Sequence, residues 1–254
     1  MGKIKAIFFD QDGVIIDTER DGHRVSFNMT FKEFGYRDEW SVDYYHDLLQ
    51  IAGGKERMKH HLQTQGFSKP VPAEQVDDLI KEMHKRKTAI FVDLIESGKL
   101  PLRPGIHRFM KEAMDAGLKI AVCTTSNEQA AKAITGKILS DIRFDLVLAG
   151  DVVSKKKPDP EIYNLALSKM GLKPDEVVVV EDSKNGVLAG KAANTHVVVT
   201  TNYYTEKEDV SGGDIIVTSL GDPGGEKGKL TKGGKQLNFD GVLHVNQVVE
   251  YFSK

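Results

Sequence analysis

Short apolar runs alternate with helix-like segments along most of the chain. Five runs rich in valine, isoleucine and phenylalanine are candidate strands, and they cover residues 4–9, 120–123, 146–149, 177–180 and 197–199. A segment with helical spacing of apolar residues precedes each of the last four candidate strands, and these segments cover about residues 106–116, 128–139, 160–170 and 184–193. This alternation predicts right-handed βαβ units and therefore an α/β fold with a Rossmann-like, doubly wound parallel sheet.

The long stretch between the first two candidate strands has a different pattern. It contains helical spacing and no convincing strand, and its longest helical pattern covers about residues 74–96, after Pro70 and Pro72. We therefore predict two domains. Residues 1–17 plus 99–254 form the catalytic core, and residues 18–98 form an inserted, all-helical cap.

Glycine is concentrated near the C-terminus. Residues 211–241 hold nine of the chain's 24 glycines. The segment does not match a phosphate-binding loop, because Gly228-Lys229 is followed by leucine where that motif requires serine or threonine. We predict a flexible surface loop here.

Composition excludes several classes of protein. The 254 residues are 40% hydrophobic and 28% charged, as in a globular protein of one or two domains, and the formal net charge of −2 is not that of a nucleic-acid binder. The single Cys123 excludes an intramolecular disulfide and a CxxC metal site. Neither a membrane-spanning run nor a signal peptide is evident. We expect a soluble intracellular monomer without nucleic-acid or membrane partners.

Acidic residues directly follow two of the candidate strands. Asp10 and Asp12 come after the first strand, and Glu181 and Asp182 come after the valine run of residues 177–180. In an open α/β sheet, ligands bind at the carboxyl ends of strands. Four carboxylates gathered there would repel one another unless a hard cation neutralised them, and Mg²⁺ suits such an oxygen-rich site.

Two further polar groups follow strands in the same chain order. Thr124, Thr125, Ser126 and Asn127 offer hydroxyls and backbone N–H groups at a predicted helix start, which is an anion site. Lys157 follows the strand at 146–149 and could stabilise a transferring phosphate. Each motif alone is more simply a turn, a helix cap or a solvated charge run. Their occurrence together, each after a candidate strand, favours a functional site.

This order of motifs resembles the haloacid dehalogenase (HAD) superfamily of aspartyl phosphotransferases. The resemblance covers nearly all of residues 4–200, and the helical insertion resembles the C1-type cap of that superfamily. It implies a Mg²⁺-dependent aspartyl phosphatase. The dehalogenase branch is disfavoured, because halide displacement needs neither a magnesium site nor a second acidic residue at position 12.

The resemblance also implies a role for each motif. Asp10 would attack phosphorus and form an aspartyl-phosphate. Asp12 would protonate the leaving alcohol and then activate water, and its backbone carbonyl would bind Mg²⁺. The phosphoryl group would be held by Thr124 and Lys157, and Mg²⁺ would be held by Asp10, Asp182 and Glu181.

A narrower resemblance is to CbbY-type proteins, and it rests on stretches such as DTERDGHRVSFN, GGKERM, LRPG, VCTTSNE, AGDVVSKKKPDPEIYNLA and VVVEDSKNG. That family hydrolyses xylulose 1,5-bisphosphate, a misfire product that inhibits Rubisco in the Calvin cycle. The resemblance implies a sugar bisphosphate substrate, and a location in the plastid stroma of a photosynthetic eukaryote or in the cytoplasm of a bacterium. The residues implied to contact substrate are Glu19, His23, Gly53, Gly54, Lys55, Arg57, Arg103, Thr125, Ser126 and Asn127.

Three alternatives remain open at this point. A phosphomutase of the β-phosphoglucomutase type would use the same core and a similar cap histidine, and would differ only in the phosphoryl acceptor. A non-catalytic binding protein on this fold is disfavoured by the intact set of catalytic motifs. Arg57 and Arg103 could also be surface or hinge residues without contact to substrate.

Overall fold

The chain divides into two compact units. The computed structural model describes residues 4–51, 53–126 and 128–253. One unit consists of Met1–Asp17 and Pro101–Lys254, and the other of Thr18–Leu100. Each unit buries apolar side chains of its own.

The Thr18–Leu100 unit is helical, and its described residues form no strand. A π-helical turn at Thr18–His23 leads into the first helix. The four helices are α1 (Arg24–Glu33), α2 (Val42–Leu48), α3 (Gly54–Thr64) and α4 (Val76–Glu96). Among the described residues, no helix is both long and apolar enough to cross a membrane.

Aromatic side chains fill the centre of this helical unit. Phe27, Phe31, Trp40 and Tyr45 are each buried to 1% exposure or less. The Trp40 ring centroid lies 4.6 Å from that of Phe27 and 5.1 Å from that of Phe31. Such large rings bury much apolar area for each residue, which allows a unit of this size to form a core.

The other unit is built on a seven-stranded sheet with the strand order β3-β2-β1-β4-β5-β6-β7. Neighbouring strands are parallel except for β6 and β7, which are antiparallel. The predicted Rossmann-like, doubly wound parallel sheet is confirmed. The strands are β1 (Ala6–Phe9), β2 (Lys119–Cys123), β3 (Leu146–Leu148), β4 (Val177–Glu181), β5 (His196–Thr200), β6 (Ile215–Val217) and β7 (Leu230–Lys232).

The central strands β1 and β4 are completely enclosed. Ala6–Phe9 and Val177–Val180 have no solvent exposure, as expected for parallel strands covered by helices on both faces. The chain builds outward from β1 in one direction through β2 and β3, and resumes on the other side with β4. This reversal is where open α/β sheets bind ligands. The helices of this unit are α5 (Ile106–Asp115), α6 (Glu128–Ala133), α7 (Glu161–Met170), α8 (Lys184–Ala192) and α9 (Val245–Phe252).

The glycine-rich segment 211–241 is folded into this unit. It supplies β6 and β7, so the predicted flexible surface loop is wrong. Its glycines permit close approach of backbones: a Cβ on Gly228 would overlap the carbonyl of Ser219, and one on Gly221 would overlap the carbonyl of Gly241. The Arg108 guanidinium binds the same region, donating to the carbonyls of Leu220, Gly221 and Leu243 at 3.1, 2.8 and 3.0 Å.

Candidate active site

Three buried carboxylates meet at the carboxyl ends of β1 and β4. Phe9 pairs with Val180, so that Asp10 and Glu181 are the next residues along the two strands. Asp10, Glu181 and Asp182 can each direct one oxygen into a cluster whose atoms lie within 4.8 Å of one another. Their exposed fractions are 8%, 1% and 6%. The parallel register of two neighbouring strands therefore produces an acidic centre.

Lys157 joins two members of this acidic centre. Its Nζ lies 2.6 Å from Asp10 Oδ1 and 2.6 Å from Glu181 Oε1, and it donates to the Cys123 carbonyl at 3.2 Å. Burial disfavours the charge of Lys157, but the carboxylates of Asp10 and Glu181 outweigh burial and hold its pKa above the ordinary value. The lysine is therefore a fixed cation beside Asp10.

The acidic centre carries more negative charge than Lys157 neutralises. Burial raises the pKa of Asp10 to about 7, with the carboxylates of Glu181 and Asp12 acting in the same direction and Lys157 opposing them. Burial, with Glu181 and Asp10, also holds the pKa of Asp182 well above its usual range. A bound divalent cation would remove this penalty, and a donor set made only of oxygens suits Mg²⁺. The residues present therefore fit a magnesium ion held by Asp10 and Asp182 with Glu181 beside them.

Glu181 is held from a second side by α7. The Tyr163 hydroxyl donates to Glu181 Oε1, the oxygen that also binds Lys157. Gly186 lies so close that a Cβ there would overlap the Glu181 carboxylate. The sequence did not single out Tyr163, because a tyrosine among apolar residues of a helix is ordinarily a core residue.

The predicted anion-binding segment lies beside the loop that carries the two aspartates. The Ser126 hydroxyl donates to Asp12 Oδ2. Thr124 is buried, its backbone N–H donates to the Leu148 carbonyl at 3.0 Å, and its Oγ1 accepts the N–H of Ser126 at 3.1 Å. Thr125 and Ser126 are half-buried. The remaining predicted residue of the segment, Asn127, lies outside the described residues.

Arg103 donates to the backbone of the core. Its Nη1 donates to the carbonyls of Gly13 and Thr200, the latter at 2.8 Å. Its Nη2 donates to the carbonyls of Thr201 and Thr218 at 2.6 and 3.2 Å. These contacts occupy the four terminal N–H groups of the guanidinium, so those groups serve the backbone rather than an open anion site.

A buried histidine–lysine pair occupies the helical unit. His23 Nδ1 lies 2.8 Å from Lys87 Nζ, and the His23 ring stacks on Phe91 with centroids 3.8 Å apart. Burial, followed by the charges of Lys87 and Arg57, lowers the pKa of His23 to about 3. Burial also lowers the pKa of Lys87 to about 8. His23 is therefore neutral at physiological pH.

Lys87 was missed at the sequence level although a signal was present. It lies at helical spacing from Ile80, Met83 and Ile90, which are all buried in α4. A lysine on the apolar stripe of an amphipathic helix is almost never fully buried unless it is paired. The position of Lys87 in that stripe therefore indicates a buried lysine with a specific partner.

Two of the other candidates in the helical unit, Glu19 and Arg57, are linked through Tyr45. Tyr45 donates to Glu19 Oε2 at 2.7 Å and accepts from Arg57 Nη1 at 3.2 Å. Arg57 Nε also donates to the carbonyls of Leu48 and Ile51 at 3.1 and 2.9 Å. Gly53, with φ 96°, directly precedes α3, which begins at Gly54, and Lys55 is exposed in the first turn of this helix.

Comparison with known proteins identifies the family. The profile of the haloacid dehalogenase-like hydrolases matches residues 4–194. The chain belongs to this hydrolase family. The prediction made from the order of the motifs is therefore confirmed.

Within this family, the chain is similar to CbbY proteins. A CBBY-like protein of Arabidopsis thaliana is 46% identical over 236 residues, which are 91% of this chain and 74% of that protein. Protein CbbY of Cereibacter sphaeroides is 39% identical over 230 residues, with 89% and 96% covered. A crystal structure of a CbbY variant from Rhodobacter sphaeroides, in complex with xylulose-(1,5)bisphosphate, is similar with a TM-score of 0.65 and 38% identity, covering 87% of this chain and 97% of that one.

These likenesses establish the general activity. The resemblance to CbbY-type proteins is confirmed, and so is the prediction that this HAD-like hydrolase is a phosphatase. The family and the acidic centre together indicate a divalent metal ion as cofactor.

Proposed function

We propose that this protein is a Mg²⁺-dependent phosphatase of a small sugar bisphosphate, with xylulose 1,5-bisphosphate as the first candidate. The placement of Asp10, 2.6 Å from Lys157 and within the acidic centre, carries the proposal. The similarity to a CbbY structure that binds this sugar bisphosphate supports the choice of substrate. The cellular role would then be removal of an inhibitor of Rubisco.

Asp10 is the proposed nucleophile. Its free carboxylate oxygen forms a bond to phosphorus while the bond from phosphorus to the sugar oxygen breaks, which leaves an aspartyl-phosphate. Lys157 holds the other oxygen of Asp10 and stabilises negative charge on the transferring group. Mg²⁺, when bound by Asp10, Asp182 and the carbonyl of Asp12 with Glu181 beside it, supplies positive charge for the phosphoryl oxygens.

Asp12 is the proposed general acid and base. It donates a proton to the departing sugar oxygen, and then accepts a proton from the water that hydrolyses the aspartyl-phosphate. The hydrogen bond from Ser126 fixes the orientation of the Asp12 carboxyl group. Thr124 and Lys157 hold the phosphoryl group, and Thr125 and Ser126 contribute further donors beside it.

Residues 18–98, which the sequence predicts to form a cap, are proposed to select the substrate. A bisphosphate needs a second anion site, and Lys55 and Arg57 supply cations for it. Glu19 accepts hydrogen bonds from sugar hydroxyls, and Gly53 and Gly54 allow backbone contact with the substrate. The neutral His23 accepts from Lys87 at Nδ1 and therefore donates its Nε2–H to a sugar oxygen. A single copy of the chain contains every residue required, so we propose that a monomer is sufficient.

Phosphate release over a panel of sugar phosphates tests the function. The panel contains xylulose 1,5-bisphosphate, ribulose 1,5-bisphosphate, fructose 1,6-bisphosphate, β-glucose 1-phosphate and phosphoglycolate, each assayed with Mg²⁺ and with EDTA. We expect a strong preference for xylulose 1,5-bisphosphate and no turnover in EDTA. A preference for another member would refute the proposed substrate.

Two variants control the chemistry. Asp10→Asn removes the nucleophile and should abolish phosphate release, whereas Asp151→Asn changes an exposed aspartate and should leave it unaltered. Isomerisation of β-glucose 1-phosphate without phosphate release would instead establish the phosphomutase. Full activity of Asp10→Asn would refute the nucleophile assignment.

A further inference from the structure

Asp182 has an amide partner that the proposed mechanism does not use. Asn202 Nδ2 donates to Asp182 Oδ2 at 2.7 Å. The other end of the amide is also occupied, because Asn202 Oδ1 accepts the N–H groups of Tyr204 and Thr205 at 2.9 and 3.1 Å. The oxygen must face those two donors, so the NH₂ group must face Asp182. The loop after β5 therefore fixes the direction of this hydrogen bond.

Arg103 holds together the loops that surround this contact. Its guanidinium joins the carbonyl of Gly13, in the loop after Asp12, to those of Thr200 and Thr201, which directly precede Asn202. A Cβ on Gly13 would overlap both the Asp182 carboxylate and the Asn202 amide. Arg103 thus connects the loop that follows Asp10 and Asp12 to the loop after β5 that contains Asn202.

A neutral partner suits a carboxylate that must bind a cation. A hydrogen bond from an amide restricts rotation of the Asp182 carboxylate and presents its other oxygen in a defined direction. The amide adds no positive charge to that of Lys157, so the site keeps the remaining negative charge on which metal affinity depends. Hydrogen-bond partners of metal ligands act in this way, and their loss typically costs about 10–100-fold in metal affinity or activity.

We propose that Asn202 and Arg103 are positioning residues for the metal site, Asn202 by orienting Asp182 and Arg103 by holding the two loops in place. The inference rests on the proposed function only in taking Asp182 as a metal ligand. It assigns Arg103 to the core, in place of the substrate contact implied by resemblance.

Metal binding without substrate provides the test. Mn²⁺ affinity is measured by calorimetry on the full chain for the wild type, for Asn202→Ala and for Tyr203→Ala, a neighbouring exposed residue. We expect Asn202→Ala to bind Mn²⁺ about 10–100-fold more weakly, and Tyr203→Ala to match the wild type. Circular dichroism and thermal unfolding confirm that each variant is folded. Affinity of folded Asn202→Ala within twofold of the wild type would overturn the role of Asn202.

Arg103→Lys tests the second residue, because it keeps the charge and loses the planar fork of donors. We expect weaker Mn²⁺ binding and an unchanged KM for the sugar bisphosphate at saturating metal. A raised KM with unchanged Mn²⁺ affinity would overturn the assignment and make Arg103 a substrate ligand. If the wild type binds Mn²⁺ but turns over no sugar bisphosphate, the proposed function fails while weaker binding by Asn202→Ala still supports this inference.

Discussion

The buried charge of Asp10 should destabilise the metal-free protein in a pH-dependent way. Burial raises its pKa from 3.8 to about 7 in the folded state. Between these values the folded chain binds more protons than the unfolded chain, so stability falls as pH rises. The full effect is reached above pH 7 and amounts to about 4 kcal/mol, at about 1.4 kcal/mol for each tenfold change in proton affinity.

Asp10→Asn removes this charge while keeping the size of the side chain. The pKa of about 7 already includes the attraction of Lys157, which keeps Glu181 as a carboxylate partner at 2.6 Å in the variant. We therefore expect a stabilisation at pH 8 of about 4 kcal/mol, or about 8–16 °C in Tm for a unit of this size. At pH 5 the gain should be less than half as large, because the wild-type carboxyl is then mostly protonated in the folded state.

Thermal unfolding in EDTA at pH 5 and pH 8 measures the effect, with the exposed Asp151→Asn as the matched control. A second series with Mg²⁺ should raise the Tm of the wild type more than that of Asp10→Asn, because the variant offers the metal an uncharged amide oxygen in place of a carboxylate. The reasoning is refuted if Asp10→Asn is no more stable than the wild type at pH 8, or if its gain is equal at both pH values.

Three further outcomes follow from single contacts. Tyr163→Phe deprives buried Glu181 of a donor and should lower the free energy of unfolding by about 1–3 kcal/mol in denaturant titration; no loss would show that the hydroxyl is dispensable. Gly228→Ala places a methyl group against the Ser219 carbonyl and should lower the free energy of unfolding by about 2–4 kcal/mol. Its control, Gly224→Ala, has open space around it and should lower the free energy of unfolding by less than about 1 kcal/mol. Equal losses would contradict the packing argument. Lys87→Met removes the cation beside His23, so the pKa of His23 should rise from about 3 yet stay below 6.5, as read by NMR titration; an unchanged pKa would contradict the contact.

Much of the core could be predicted from local pattern. The valine run at 177–180 and the apolar run at 4–9 are continuous because both faces of a parallel strand are covered, and that enclosure is what the structure contains. Asp10 and Glu181 could be expected to lie close together, because each directly follows a parallel strand and the ends of parallel strands meet at one edge of the sheet.

Contacts made over long distances in the chain escaped prediction. The glycine-rich segment looked like a flexible loop, because composition does not reveal that Gly228 packs on Ser219 or that Gly221 packs on Gly241. Tyr163 resembles an ordinary core residue of an apolar helix face, and although Lys87 stands out in its apolar stripe, only packing brings these two residues to Glu181 and His23.

The sequence by itself determined five strands of the parallel sheet, the helical insertion and the chemistry at the ends of β1 and β4, because hydrophobic period and the residues that follow each strand are local properties. The tertiary structure alone decided how charge is balanced there. Lys157 is 147 residues from Asp10, and Asn202 is 20 residues from Asp182. Burial and hydrogen-bond geometry, which set the pKa of Asp10 and the orientation of Asp182, arise only when such distant segments pack together.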